Sequence, residues 1–316
     1  MNFAGVFPGQ GSQSIGMLAA LAQAEPVVVQ TFEEASQALG YDLWQLCQSG
    51  PEQRLDATEQ TQPAMLAAGV AVWRVWRARG GALPSLSAGH SLGEYSALVA
   101  SGALAFAQAA GLVQARGRFM QEAVPAGQGA IAAVLGLDDA AVVDVCAAVC
   151  AARAPEIVSA VNFNAPGQVV IAGHAAAVGD ALERLRQAGA RKAVPLPMSV
   201  PVHCELMRPA AERLKARLLT AGMATPAIAV LHNADLCAHD DPGEIVDALT
   251  AQLYTPVRWT RTVEAFAAQD LHMLIEFGPG RVLTGLAKRI DRTMTALAVH
   301  DPASLDAALA ATQEAV

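Results

Sequence analysis

A chain of 316 residues with 53% hydrophobic composition can bury a large core, as one big domain or as a domain carrying an insertion. Its formal net charge of −8 excludes sequence-independent nucleic-acid binding, which needs a Lys and Arg surplus against phosphate, and leaves any anionic substrate dependent on a local cationic site. No run of about 18 apolar residues occurs, and the opening MNFAGVFPGQG lacks the basic start and long apolar core of a signal peptide, so the expectation is a cytoplasmic protein without membrane association.

Gly and Pro are spread along the chain, which leaves no linker, repeat or low-complexity tract. The five cysteines (Cys47, Cys146, Cys150, Cys204 and Cys237) are odd in number and form no CxxC pair. Packing thiols are expected rather than a disulfide framework or a metal site, and Cys204, next to His203, is the one to watch as a reactive thiol.

In chain order, the run 3–7 (FAGVF) predicts a buried strand closed by Pro8-Gly9. Leu66, Val70, Trp73 and Arg77 fall at helical spacing, and Gly80-Gly81 follows them, so 61–79 predicts a helix with a glycine stop. A weak strand candidate, ALPSLSAG, precedes a helix-compatible stretch at 94–104, and another helix is expected over 106–122. The pattern then changes. IAAVLGL, IVSAVNF, QVVIAG and KAVPLPM are strand-like, with helical stretches at 138–152 and 175–188. The resulting order, β-α-β-β-α-β, is the ferredoxin-like arrangement. It predicts a small subdomain, 127–199, inserted into a larger α/β subdomain made of 1–126 and 200–316. A last buried strand is expected at 270–277 (DLHMLIEF) before Gly278-Pro279-Gly280.

Gly89-His90-Ser91-Leu92-Gly93 matches G-x-S-x-G. On a strand-to-helix turn such glycines let strand and helix approach closely and leave Ser91 Oγ exposed at a helix N-terminus, where the Leu92 N–H can face a developing oxyanion. In a Gly- and Ala-rich chain the pattern also arises by chance, so it needs independent support. The glycine-bracketed loop Phe7-Pro8-Gly9-Gln10-Gly11-Ser12-Gln13 is either a tight turn or the source of a second oxyanion donor; it lacks the G-K-[ST] ending of a phosphate loop.

FPGQGSQ, GHSLGEYSAL, QARGRFMQ, NFNAPGQVVIAG, VPVHCELM and QLYTPVRW, in this order across nearly the whole chain, resemble the malonyl-CoA:acyl-carrier-protein transacylases of fatty acid synthesis. The resemblance implies an α/β-hydrolase-like large subdomain, a ferredoxin-like small one and an active site in the cleft between them. It implies Ser91 as nucleophile, His203 as base, the N–H groups of Gln10 and Leu92 as oxyanion hole, and Arg116 as partner of the malonyl carboxylate. The histidine would be oriented by a backbone carbonyl at Gln252. Malonyl-CoA and acyl carrier protein would be the substrates, with no cofactor and no metal.

The residues allow that chemistry on their own terms. A serine hydroxyl needs a hydrogen-bonded base, and a histidine titrates near working pH. Of seven histidines, His203 lies just past the predicted insertion, where it can face a cleft; for any one of them a structural role is the simpler account, and only the VPVHCELM match favours His203. Arg116, in the apolar helix GLVQARGRFM, is either on a solvated face or a two-pronged carboxylate ligand that lysine cannot replace. Asn162 and Asn164 either order a turn or, for Asn162, support the site. Val202 stands where many members have Ser, which loosens the expectation of strict malonyl choice.

A serine thioesterase is the first rival, since water on the acyl-enzyme would make one. None of the acids between Ser91 and His203 fits a hydrolase triad well, which favours transfer. A non-catalytic carrier-binding scaffold, and a transacylase serving another malonyl pathway, are the others.

Overall fold

The computed structural model describes residues 2–197 and 200–313, and two sheets organise them. The first is parallel, in the order β7-β2-β1-β8-β9, from β1 (Ala4–Phe7), β2 (Leu86–Gly89), β7 (Val230–Leu231), β8 (Met273–Phe277) and β9 (Thr295–Val299). β1, β2 and β8 are buried on both faces, as a parallel sheet covered by helices requires, which is why FAGVF reads as an unbroken apolar run and MLIEF is apolar but for the buried Glu276. Phe3, Phe7, Trp76 and Phe277 meet over one face of this sheet, with the Phe7 and Phe277 ring centroids 5.6 Å apart.

The second sheet is antiparallel, in the order β4-β5-β3-β6, from β3 (Gly129–Leu135), β4 (Val158–Ala165), β5 (Gln168–His174) and β6 (Lys192–Pro195). Helices Asp139–Arg153 and Ala175–Gln187 sit between β3 and β4 and between β5 and β6, so the order is β-α-β-β-α-β, as the residue pattern predicts. β4 is stitched to the rest of the chain through Val257, whose N–H donates to Val161 O and whose carbonyl accepts from Phe163 N–H, both at 2.9 Å.

Two predicted strands are shorter in the structure. The 270–277 run begins only at Met273, because residues 268–272 close the preceding helix, Trp259–Ala267: Asp270 turns left-handed at φ 57° and Leu271 N–H returns to Phe266 O. The run at 192–198 pairs as β6 only to Pro195, and Met198 lies outside the described residues.

Parallel register sets where chemistry can occur. Phe7 pairs with Gly89 at the carboxyl ends of β1 and β2, so the loop after Phe7 and the turn after Gly89 leave the sheet side by side. Strand order also reverses at β1, with β2 and β7 on one side and β8 and β9 on the other, and the outer edge of such a switch point is where α/β sheets bind ligands.

Candidate active site

The turn after β2 is built by sterics. A Cβ on Gly89 would lie 1.8 Å from Gly93 C, and one on Gly93 would lie 2.0 Å from Phe7 O, so neither position accepts a side chain. Between them Ser91 takes φ 52°, a left-handed state that costs a non-glycine residue on the order of 1–3 kcal/mol. Asn233, just beyond β7, holds that state by accepting from Ser91 N–H at 2.7 Å and donating to Gly89 O at 2.7 Å. The Pro8–Gly11 loop packs onto the same turn, since a Cβ on Gly9 would come within 2.4 Å of His90 O. Among the described residues, neither Gln10 N–H nor Leu92 N–H donates to a protein acceptor, which leaves two donors beside the Ser91 turn.

Ser91 Oγ lies 2.7 Å from His203 Nε2, and His203 Nδ1 lies 2.7 Å from the carbonyl of Gln252. That carbonyl can only accept, so the ring proton sits on Nδ1 and Nε2 is the bare nitrogen facing the serine. Gln252 ends the helix Pro242–Gln252, where carbonyls have no partner in the next turn and carry the negative end of the helix dipole. His203 is buried, and burial first, with the Arg116 guanidinium second, pushes its pKa down to about 3. The imidazole is thus uncharged across ordinary pH.

Arg116 projects from helix Phe106–Ala123 and is 1% exposed, which removes the solvated-face reading. Its Nη2 donates to Gln252 Oε1 at 2.9 Å and approaches Ser91 Oγ at 3.5 Å, its guanidinium lies 5.6 Å from the Tyr95 ring centroid, and its buried Nε has no partner. Burial lowers its pKa. No carboxylate lies within ion-pair distance of it among the described residues. A buried guanidinium with no carboxylate in direct contact, 3.5 Å from the Ser91 hydroxyl, can accept an anionic group in two-pronged fashion.

These groups surround one cavity of about 390 Å³, walled by Gln10, Ser91, Leu92, Arg116, Asn162 and His203. Gln252 stands behind the wall, hydrogen-bonded to His203 and Arg116. Asn162 is nearly buried there, with its Oδ1 unpartnered. Asn164 instead bonds His90, Oδ1 to Nε2 at 2.8 Å, which ties the Ser91 turn to β4. Val202 is buried against the same space.

Cys204 is not a reactive thiol. Its Sγ donates to Pro201 O at 3.1 Å, and burial raises its pKa to about 11, so almost no thiolate forms. Among the described residues, no group of three or more His, Cys, Asp or Glu is placed to hold a metal ion.

The residue pattern missed Asn233 and a buried network around Glu94. Glu94 accepts from His232 Nδ1 at 2.7 Å and from Asn233 N–H and Gln252 Nε2, each at 2.9 Å. The only signal in the sequence is His232-Asn233 directly after a short apolar run, and nothing local connects it to Ser91.

Residues 5–301 match the acyl transferase domain family. The chain is 55% identical over 308 residues to the malonyl CoA-acyl carrier protein transacylase of Salmonella typhimurium, covering 98% of this chain and 99% of the relative. Among solved structures, an acyl carrier protein S-malonyltransferase from Vibrio cholerae superposes with TM-score 0.94 at 56% identity, covering 97% of this chain and 99% of that one. A malonyl-transacylase solved with its type II polyketide acyl carrier protein superposes with TM-score 0.96 at 55% identity, covering 98% of this chain and 100% of that one.

Proposed function

The chain belongs to the malonyl-CoA:acyl-carrier-protein transacylases of the acyl transferase family, and from that premise we propose that the malonyl group it moves from coenzyme A to the carrier thiol, in fatty acid synthesis, crosses as an ester of Ser91. The observation that carries this reading is the chain from Ser91 Oγ through His203 to the Gln252 carbonyl, with both contacts at 2.7 Å.

In the first half-reaction, Ser91 Oγ attacks the thioester carbonyl and its proton passes to His203 Nε2. The N–H groups of Gln10 and Leu92 receive the oxyanion, where one such donor contributes roughly 3 kcal/mol. The tetrahedral adduct collapses by breaking the C–S bond, and the coenzyme A sulfur leaves with the proton from His203. In the second, the carrier's phosphopantetheine thiol gives its proton to His203 and attacks the ester. The C–O bond breaks, and Ser91 recovers the proton. Arg116 holds the malonyl carboxylate throughout, and Asn162 supports the substrate from the β4 side.

The protein groups named here supply every proton and charge the two steps need, so we infer an enzyme without a cofactor. We also infer a cytoplasmic one; no helix among the described residues is long and apolar enough to cross a membrane. The division into a small subdomain, 127–199, within a large one, 1–126 and 200–316, is supported by the separate sheets.

A thioesterase would share the first half-reaction. The test is a rapid-quench mixing with malonyl-CoA in the absence of carrier. Transfer predicts a burst of one coenzyme A per active site followed by slow turnover. Steady release without a burst would overturn the long-lived ester.

A further inference from the structure

Behind the cavity wall stands a carboxylate that the transfer steps leave unused. Glu94, in the first turn of helix Gly93–Ala100, is fully buried. Its three partners, His232 Nδ1, Asn233 N–H and Gln252 Nε2, all serve as donors, so the carboxylate is satisfied in its ionised, acceptor-only form. His232 reaches it through Nδ1, and its Nε2 is buried without a partner.

Gln252 joins this anion to the cation of the site. Its Nε2 donates to Glu94 Oε2 at 2.9 Å, and its Oε1 accepts from Arg116 Nη2 at 2.9 Å. The carboxamide cannot be turned around: Arg116 only donates, while the Ser91 carbonyl, which also takes Gln252 Nε2 at 2.9 Å, only accepts. A guanidinium, one amide and a carboxylate thus form a continuous buried relay.

We propose that Glu94 is the resident counter-anion of Arg116, a positioning residue that keeps the guanidinium aimed through Gln252 in the empty pocket and moderates its grip on the malonyl carboxylate. The proposal deepens the reading above and rests on Arg116 as the malonyl partner. When malonyl enters, two carboxylates share one guanidinium at low dielectric, and Glu94 weakens the attachment of the newcomer. The balance suits a group that must arrive on one thiol and depart on another, because tighter holding at every stage would lower KM without raising kcat.

Glu94→Gln tests it. The new carboxamide keeps all three contacts if its oxygen accepts from Asn233 and Gln252 while its NH2 donates to His232 Nδ1, with the ring proton moved to Nε2, so the charge is lost at the cost of one buried N–H without a partner. KM and kcat with malonyl-CoA and with acetyl-CoA are measured for wild type and variant. The malonyl KM should fall about threefold or more relative to the acetyl KM, as expected for removing one charge at short range. Equal shifts with both donors, or a raised malonyl KM, would overturn the proposal.

A second arm needs no substrate. Thermal midpoints of wild type, Glu94→Gln, Arg116→Ala and the double variant form a cycle. Arg116→Ala strands the Glu94 charge, so adding Glu94→Gln should raise the midpoint of Arg116→Ala by a few degrees. If Glu94→Gln alone does not fold, the double variant should fold where the single one fails. A double variant no more stable than Arg116→Ala contradicts the pairing. Failure of the Arg116 reading itself would show differently, as equal loss of malonyl and acetyl transfer in Arg116→Ala.

Discussion

Ser91 and His203, whose Oγ and Nε2 lie 2.7 Å apart, both hold left-handed backbone angles, φ 52° and φ 60°. For side-chain-bearing residues this state costs energy, and it persists only where the surroundings impose it. At Ser91 those surroundings are Gly89, Gly93 and the Asn233 clamp; at His203 they are burial and the Gln252 carbonyl. On the proposed roles, nucleophile and base are thus fixed before substrate arrives, which spares the reaction the cost of aligning them.

That alignment comes with an unusual titration. Burial, then the Arg116 charge, depress His203 from 6.5 to about 3, so the base limb of kcat/KM should lie well below an ordinary histidine's and the profile should run level through pH 6.5. Removing a cation that lowers the pKa must raise it. In Arg116→Ala, assayed with acetyl-CoA, the limb should therefore move toward higher pH than in wild type with the same donor. A limb near pH 6.5 in wild type, or no upward movement in the variant, would show that His203 is not so buried in the working enzyme.

Arg116 should also set donor choice. With acetyl the buried guanidinium is left unpaired, forgoing a charge-assisted contact of roughly 2–5 kcal/mol, so malonyl should be preferred by more than about tenfold in kcat/KM. Arg116→Ala should lose most malonyl transfer and keep or gain acetyl transfer. Arg116→Lys should be intermediate at best, because a point charge cannot make the two-pronged contact. These constants are compared for both donors at one salt concentration; equal losses would make Arg116 structural.

Carrier docking should depend on a local basic patch, since the net charge of −8 repels an acidic partner. Two exposed groups qualify: Arg191 with Lys192 at the start of β6, and Arg281, Lys288 and Arg289 on and beside helix Val282–Ile290. The second is the stronger candidate, because Val282, Leu283 and Leu286 of that helix line the cavity. Lys288→Glu or Arg281→Glu should raise the KM for the carrier and leave that for malonyl-CoA in place. If reversal at neither group has this selective effect, the docking face lies elsewhere.

Much of this was legible in the residues. Periodicity found the helix Thr58–Ala78 and the βαββαβ order, and the spacing around Ser91 carries a steric meaning that the 1.8 Å and 2.0 Å approaches make concrete. What stayed hidden depends on contacts between distant segments. No pattern distinguishes a buried Arg116 from a solvated one, because its helix has small residues on several faces; Gly117 meets the backbone of Thr58 and Glu59, which closes that side. Glu94 and Asn233 lie 139 residues apart in sequence, and only the pairing of β7 with β2 brings Asn233 under the Ser91 turn and against Glu94. Cys204 misled because adjacency to His203 in sequence says nothing of burial.

The most direct test of the account is the intact mass of the protein, quenched rapidly after mixing with malonyl-CoA alone, followed by peptide mapping. The account predicts one added malonyl group, located on Ser91, absent from Ser91→Ala and discharged when carrier protein is supplied. An unmodified mass while malonyl transfer proceeds would contradict it.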